Sequence, residues 1–142
     1  MSKKHEESKE QLKNLENQLK RALADYQNLE KRITSQKSEW IKIANKELLL
    51  RLLPGLDSLV LAQKHTQDEG IKLSIKHFLE ILEGGGVKKI ETEGKDFNPN
   101  LMEAVSTEEG EEGKVIGELR TGYTLNGQVL RPAQVIVGKQ NS

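Results

Sequence analysis

Apolar residues recur at Leu12, Leu15, Leu19, Ala22, Tyr26, Leu29 and Ile33, and again at Trp40, Ile43 and Leu50. The steps alternate between three and four, the period of a helix with one apolar seam. Gln36 and Glu47 interrupt the series, and neither Pro nor Gly occurs between Met1 and Leu53. The pattern predicts a long helix over residues 11–53. Its Leu12–Leu53 stretch would extend about 60 Å at roughly 1.5 Å per residue. That is longer than a compact domain of this chain could cover, so the stripe needs a partner helix. The chain has no second helical pattern of matching length, which points to a second copy of itself. Tyr26 and Trp40 are bulky and Gln36 is polar, so the seam predicts two helices side by side with little supercoil and modest stability rather than a tight zipper. The alternative, an amphipathic helix folded against its own domain, is opposed by the length.

Residues 1–10 are polar and are expected to form a flexible tail. After Glu47 the apolar residues Leu48, Leu49, Leu50, Leu52 and Leu53 wrap more than one face, and Pro54-Gly55 predicts a break or kink. Leu56, Leu59, Val60 and Ala62 resume a helical stripe to about Lys64. A polar connection, His65–Glu69, leads into a helix over Gly70–Glu83 with Ile71, Ile75, Phe78, Leu79 and Leu82 on one face. Gly84-Gly85-Gly86 ends it, since three glycines do not sustain a helix. Two short helices per chain over residues 54–86 would make a four-helix bundle in a dimer. The dimer contacts expected on the long helix are Leu12, Leu15, Leu19, Tyr26, Leu29, Ile33, Trp40 and Ile43. Those expected around the bundle are Leu52, Leu53, Leu56, Leu59, Ile75, Phe78 and Leu79.

From Val87 the period switches to two. Strands are predicted at Val87–Ile90, Leu101–Val105, Val115–Arg120 and Gly122–Leu125, with a turn at Phe97–Asn100 and an acidic loop at Glu108–Gly113. Asn126-Gly127 is a strong hairpin signal. The return strand, Gln128–Val137, contains Pro132, which places it at an edge or a bulge. The fold class is therefore α+β: a long paired helix, short helices forming a bundle in the dimer, a small β domain over residues 87–138 and a tail at 139–142.

Charge narrows the partners. Lys plus Arg and Asp plus Glu number 22 each among 142 residues, so bulk charge favours neither a nucleic acid nor an anionic membrane. The 31% of charged residues and the mean hydropathy of −0.65 suit a large surface over a small core. Cysteine is absent, no apolar run approaches the roughly 18 residues of a membrane span, and Met1–Glu10 lacks the apolar segment of a secretory signal. A cytoplasmic protein is expected. The sequence offers little for catalysis. His5, His65 and His77 are far apart, without a metal-ligand partner at i+3 or i+4. Gly110–Lys114 lacks the spacing of a phosphate loop, and the glutamates at 108, 109, 111 and 112 read as a solvated turn. These features predict a non-enzymatic interaction protein with no metal and no cofactor.

Several segments carry a family resemblance. Ala24–Arg32, reading ADYQNLEKR, resembles a helix segment of GrpE proteins, and Leu52–Leu59, LLPGLDSL, resembles a second one downstream. Glu69-Gly70-Ile71 and Gly86-Val87 match the short-helix region, and Phe97–Val105 resembles the following loop. Gly122–Val137, GYTLNGQVLRPAQVIV, is similar to the family's C-terminal motif throughout. Together they cover about residues 20–138 in order. The chain departs from the pattern at Glu30, where a basic residue is usual, and at Asn98 and Met102, which replace Asp and His.

The resemblance implies a homodimeric nucleotide exchange factor that binds the nucleotide-binding (ATPase) domain of the heat-shock chaperone DnaK and promotes ADP release. It also implies a parallel helix pair with β domains as wings. Carried over by position, Asn28, Lys31 and Arg32 are expected helix contacts to DnaK, with Gly70 at the bundle edge. In the β domain the matching positions are Gly122, Tyr123, Asn126 and Arg131, with a hairpin glycine and a strand-core residue as the competing readings of Gly122 and Tyr123. A coiled-coil scaffold or adaptor with a β interaction domain is the competing class.

Overall fold

The apolar stripe read from the sequence lies on one uninterrupted helix, α1, which runs from Ser2 to Lys64. The computed structural model describes residues 2–141. α1 is followed by helix α2 (Glu69–Gly84) and six strands: β1 (Val87–Lys89), β2 (Met102–Glu109), β3 (Val115–Arg120), β4 (Tyr123–Leu125), β5 (Gln128–Arg131) and β6 (Ala133–Lys139). The chain divides into two compact units, with the boundary between Ala44 and Asn45. The first is the N-terminal part of α1. Every described residue in it is exposed, including Leu12, Leu15, Leu19, Tyr26, Leu29, Ile33, Trp40 and Ile43.

Two helical expectations are corrected. Helix begins at Ser2, so residues 2–10 belong to α1 rather than to a separate tail. Nor does the helix break at Pro54, which lies inside α1, so the segment to Lys64 is not a separate short helix. A mid-helix proline forgoes its bond to the carbonyl four residues back, at a cost of about 3 kcal/mol. Leu53 and Leu56 flank it and are each only 2% exposed. Burying two leucines contributes about 1.5–3 kcal/mol apiece, enough to hold the helix through the proline. The Ser58 hydroxyl also donates to the Pro54 carbonyl at 3.1 Å.

α2 starts at a capped end: Asp68 is the N-cap, and its carboxylate accepts from the Gly70 N–H at 2.7 Å. At the other end the Gly85 N–H donates back to the Ile81 and Leu82 carbonyls, and Gly86 follows at φ +93°.

The strands form two three-stranded sheets. The first has the order β1-β4-β5 and is antiparallel throughout. The second has the order β2-β6-β3, with β2 parallel and β3 antiparallel to β6. The expected single strand Gln128–Val137 is corrected: it divides at Pro132, β5 forming an edge of the first sheet, as the proline suggests, and β6 the central strand of the second. Proline has no N–H for a ladder, so the chain changes sheets there and pairing resumes at once. The Ala133 N–H donates to the Leu101 carbonyl at 3.1 Å. β2 is longer than its apolar residues suggested, because Ser106–Glu109 continue it by backbone pairing to β6 as far as Lys139. Glu108 and Glu109 are therefore strand residues, and the C-terminal strand includes Lys139, which was expected to begin the tail.

Two apolar clusters result. Leu53 and Leu56 of α1 pack with Val87, Tyr123 and Leu130, with Leu79 and Leu82 of α2 against them. Met102, Val115, Ala133 and Val135, all on strands of the second sheet, form the second, with Phe97, Leu101 and Val137 against it. Leu53 and Leu56, expected at a dimer interface, are thus core residues of their own chain. Ile75 is buried too, and Leu79 is half-buried. Leu52, Leu59 and Phe78 remain exposed.

Candidate functional site

Arg131, the last residue of β5, is 8% exposed and has its donors engaged within the chain. Its two terminal nitrogens donate to both carboxylate oxygens of Asp57 on α1, at 2.6 and 2.5 Å. Its Nε donates to the Thr121 carbonyl at 2.9 Å. Tyr123 pairs with Arg131 across β4 and β5, and its ring centroid lies 5.5 Å from the guanidinium carbon. Tyr123 is 3% exposed, and burial pushes its phenol above the ordinary 10.0, partly opposed by the Arg131 charge. Arg131, expected to meet a partner, is instead turned inward, its guanidinium leaving water with its hydrogen bonds replaced by Asp57 and Thr121. Tyr123 takes the strand-core role of its two readings.

The same neighbourhood holds Gly122 by close packing. A Cβ there would fall onto the Ala133 nitrogen, 2.8 Å from the Ala133 Cα and 2.9 Å from Ile90 Cδ1. Gly122 is buried, so it too contributes through backbone shape rather than an open surface. A polar chain continues outward: the Thr121 hydroxyl donates to Glu118 Oε1 at 2.8 Å, and the buried Thr92 hydroxyl donates to Glu118 Oε2.

Asn126 is exposed at the hairpin tip. It adopts φ 49° and Gly127 φ 84°, the paired positive values of a two-residue hairpin turn. Its N–H donates to the Gly86 carbonyl at 2.9 Å, so the hairpin tip is tied to the connection between α2 and β1. Gly70, in the first turn of α2, is exposed, and a Cβ there would stand 3.0 Å from the Asp68 carboxylate. Asn28, Lys31 and Arg32 are exposed on α1 in the other unit, and among the described residues none of the three forms a side-chain hydrogen bond or ion pair.

The structure therefore gathers Gly122, Tyr123 and Arg131 into one buried junction and leaves Asn28, Lys31, Arg32, Gly70 and Asn126 open. It adds residues that sequence reasoning did not single out. Asp57, Thr92 and Glu118 complete the junction, and Val105, Ile116 and Leu119 expose apolar side chains on β2 and β3. Asp57 carried one local signal, a carboxylate directly after a buried leucine of the stripe, but its partner is 74 residues away. A groove of about 300 Å³ between α2 and β1 is lined in part by Leu82, Glu83, Lys88 and Lys89. Among the described residues no group of three or more His, Asp or Glu is placed to hold a metal ion, and no helix is long and apolar enough to cross a membrane.

Comparison with known sequences agrees with the motifs. A family model described as GrpE matches residues 1–139. A protein GrpE from Syntrophobacter fumaroxidans is 40% identical over 141 residues, covering 92% of this chain and 75% of the relative. One from Methanosphaera stadtmanae is 36% identical over 137 residues, covering 92% and 79%. One from Campylobacter fetus is 35% identical over 150 residues, covering 97% and 86%.

Proposed function

The chain belongs to the GrpE family, the co-chaperones that serve DnaK as nucleotide exchange factors, and on that premise we propose that it binds the DnaK nucleotide-binding domain, opens its cleft and accelerates ADP release. The observation that carries this reading is the extent of the family match, which takes in the long helix and the β domain together.

No catalytic residue is needed. A surface that fits the open cleft better than the closed, ADP-bound one shifts that equilibrium, and linkage then makes ADP bind more weakly by the same factor. A thousandfold faster release corresponds to about 4 kcal/mol of preferential stabilisation of the opening transition state, within reach of a modest protein interface. We assign Asn28, Lys31 and Arg32 on α1, Gly70 at the start of α2 and Asn126 at the hairpin tip as contacts, since all five are exposed. Gly122, Tyr123 and Arg131 serve the same end by shaping the β domain that presents the surface.

The working unit is a homodimer in the cytoplasm. Its support is the exposed stripe from Leu12 to Ile43, which a second copy would cover along the helix, and the exposed Leu59 and Phe78 further along. The exposed Leu59 and Phe78 line an apolar groove of about 490 Å³ with Ile71 and Ile75, where the bundle of two copies would form.

The deciding experiment follows release of fluorescently labelled ADP from the DnaK of the same organism. Release should accelerate with added protein and saturate. An unchanged rate, with the protein folded and DnaK loaded, sinks the proposal and leaves a scaffold or adaptor as the reading.

A further inference from the structure

We infer that the Asp57–Arg131 ion pair is the joint that fixes the orientation of the β domain on the helix, and that both residues act as positioning residues for nucleotide exchange. The functional half of this inference rests on the exchange reading; the structural half does not.

The attachment of α1 to the strands has two components of different character. Leu53 and Leu56 pack with Val87, Tyr123 and Leu130, which holds the parts together but is non-directional: apolar surfaces can slide or tilt and stay dry. The ion pair is directional. Two parallel N–H donors meet two carboxylate oxygens, and the geometry degrades if either side rotates. The third donor, Nε, is tied to the Thr121 carbonyl in the short connection between β3 and β4, where the chain passes from one sheet to the other. Thr121 in turn bonds through its hydroxyl to Glu118 on β3, which also accepts from Thr92 beyond β1. A single run of hydrogen bonds therefore links the helix to β5 of the first sheet and β3 of the second. The 8% exposure of Arg131 shields it from competing water.

An exchange factor that opens a cleft has to hold its binding surface at a fixed angle while the chaperone resists. If the joint loosens, the exposed helix contacts still dock, but only a fraction of bound molecules presents the β domain in the competent orientation. The saturating rate then falls in proportion, while half-saturation moves little. Loss of folded protein behaves differently, because adding more of the chain restores the full rate.

The test uses the full chain, with Arg131→Lys, which keeps the charge but not the two-pronged geometry, and Asp57→Asn as a second variant should the first not fold. The chain has no cysteine, so Cys introduced at the exposed Lys64 and Ser106 can be spin-labelled uniquely. Labelled chain is diluted with unlabelled chain so that each pulsed-EPR distance lies within one copy. The parent should give a narrow distribution, the variants a broad one, and the variants' saturating ADP-release rate should drop about tenfold with half-saturation changed less than about twofold. A distribution as narrow in the folded variants as in the parent overturns the joint. A broad distribution with an undiminished saturating rate overturns its role in exchange. If the parent itself does not accelerate ADP release from DnaK, the exchange reading and the functional half fail together, and the EPR comparison still decides the structural half.

Discussion

Gly122 and Ala133 approach so closely that no side chain fits between them: a Cβ on Gly122 would sit on the Ala133 nitrogen and 2.8 Å from its Cα. Both are buried, and Ala133 begins the central strand of the second sheet, immediately after Pro132. The contact fixes how the β3–β4 connection passes the point where the chain changes sheets. Gly122→Ala should therefore destabilise the β domain by about 1–3 kcal/mol, the usual cost of overpacking where the obstacle is backbone. Denaturant unfolding followed by a β-domain probe measures it. A neutral substitution would mean the two segments separate easily.

Asn126 offers a contrast, because its conformation and its exposed side chain can be tested separately. Asn126→Gly keeps access to the positive φ the turn needs, whereas Asn126→Val does not. The glycine variant should unfold within about 0.5 kcal/mol of the parent, and the valine variant should be less stable by more than about 1 kcal/mol. If Asn126 contacts DnaK, the glycine variant should nevertheless bind it more weakly, as read by sedimentation of the complex.

Alkaline pH should expose the burial of Tyr123. Its phenol titrates above 10.0 in the folded chain because burial disfavours the phenolate, while the unfolded chain ionises near the ordinary value. The group's contribution is fully present below pH 10.0 and is lost as pH rises through the raised folded value, since the unfolded state releases its proton first. Tyr123→Phe should flatten the fall in stability as pH rises past 10.0, relative to the parent. Parallel curves for the two proteins, from thermal unfolding at matched ionic strength, would show that the phenol is not desolvated.

Substitutions at Leu19 and Leu53 should separate dimerisation from folding. Leu53 is 2% exposed and packs into the chain's own core, so Leu53→Ala should cost about 2–5 kcal/mol and loosen the β domain. Leu19 is 61% exposed, so Leu19→Asp should leave β-domain unfolding within about 0.5 kcal/mol of the parent. It should instead shift sedimentation from about 32 kDa, twice the 16.0 kDa chain, toward the monomer. A parent that is monomeric at micromolar concentration would remove the second copy from the reading of the stripe.

Several features were legible in the sequence for local reasons. Three-and-four spacing makes a helix with one apolar face wherever it occurs, and Asn126-Gly127 makes a tight hairpin because both residues accept positive φ. The α+β class and the family followed from such segments in order. Tertiary structure decided the outcomes in which a local preference meets a distant partner. Pro54 reads as a break until Leu53 and Leu56 find Val87, Tyr123 and Leu130, whose burial outweighs one missing helix bond. The strand from Ser106 to Glu109 has no apolar alternation and exists because β6 supplies its backbone partners. Arg131 reads as a surface cation until Asp57, 74 residues earlier, removes it from solvent. A spacing of three, four or two residues is written in the chain itself. Which side chains come together across such separations depends on the folded path, and that path turns inward three of the eight positions the motifs marked for a partner.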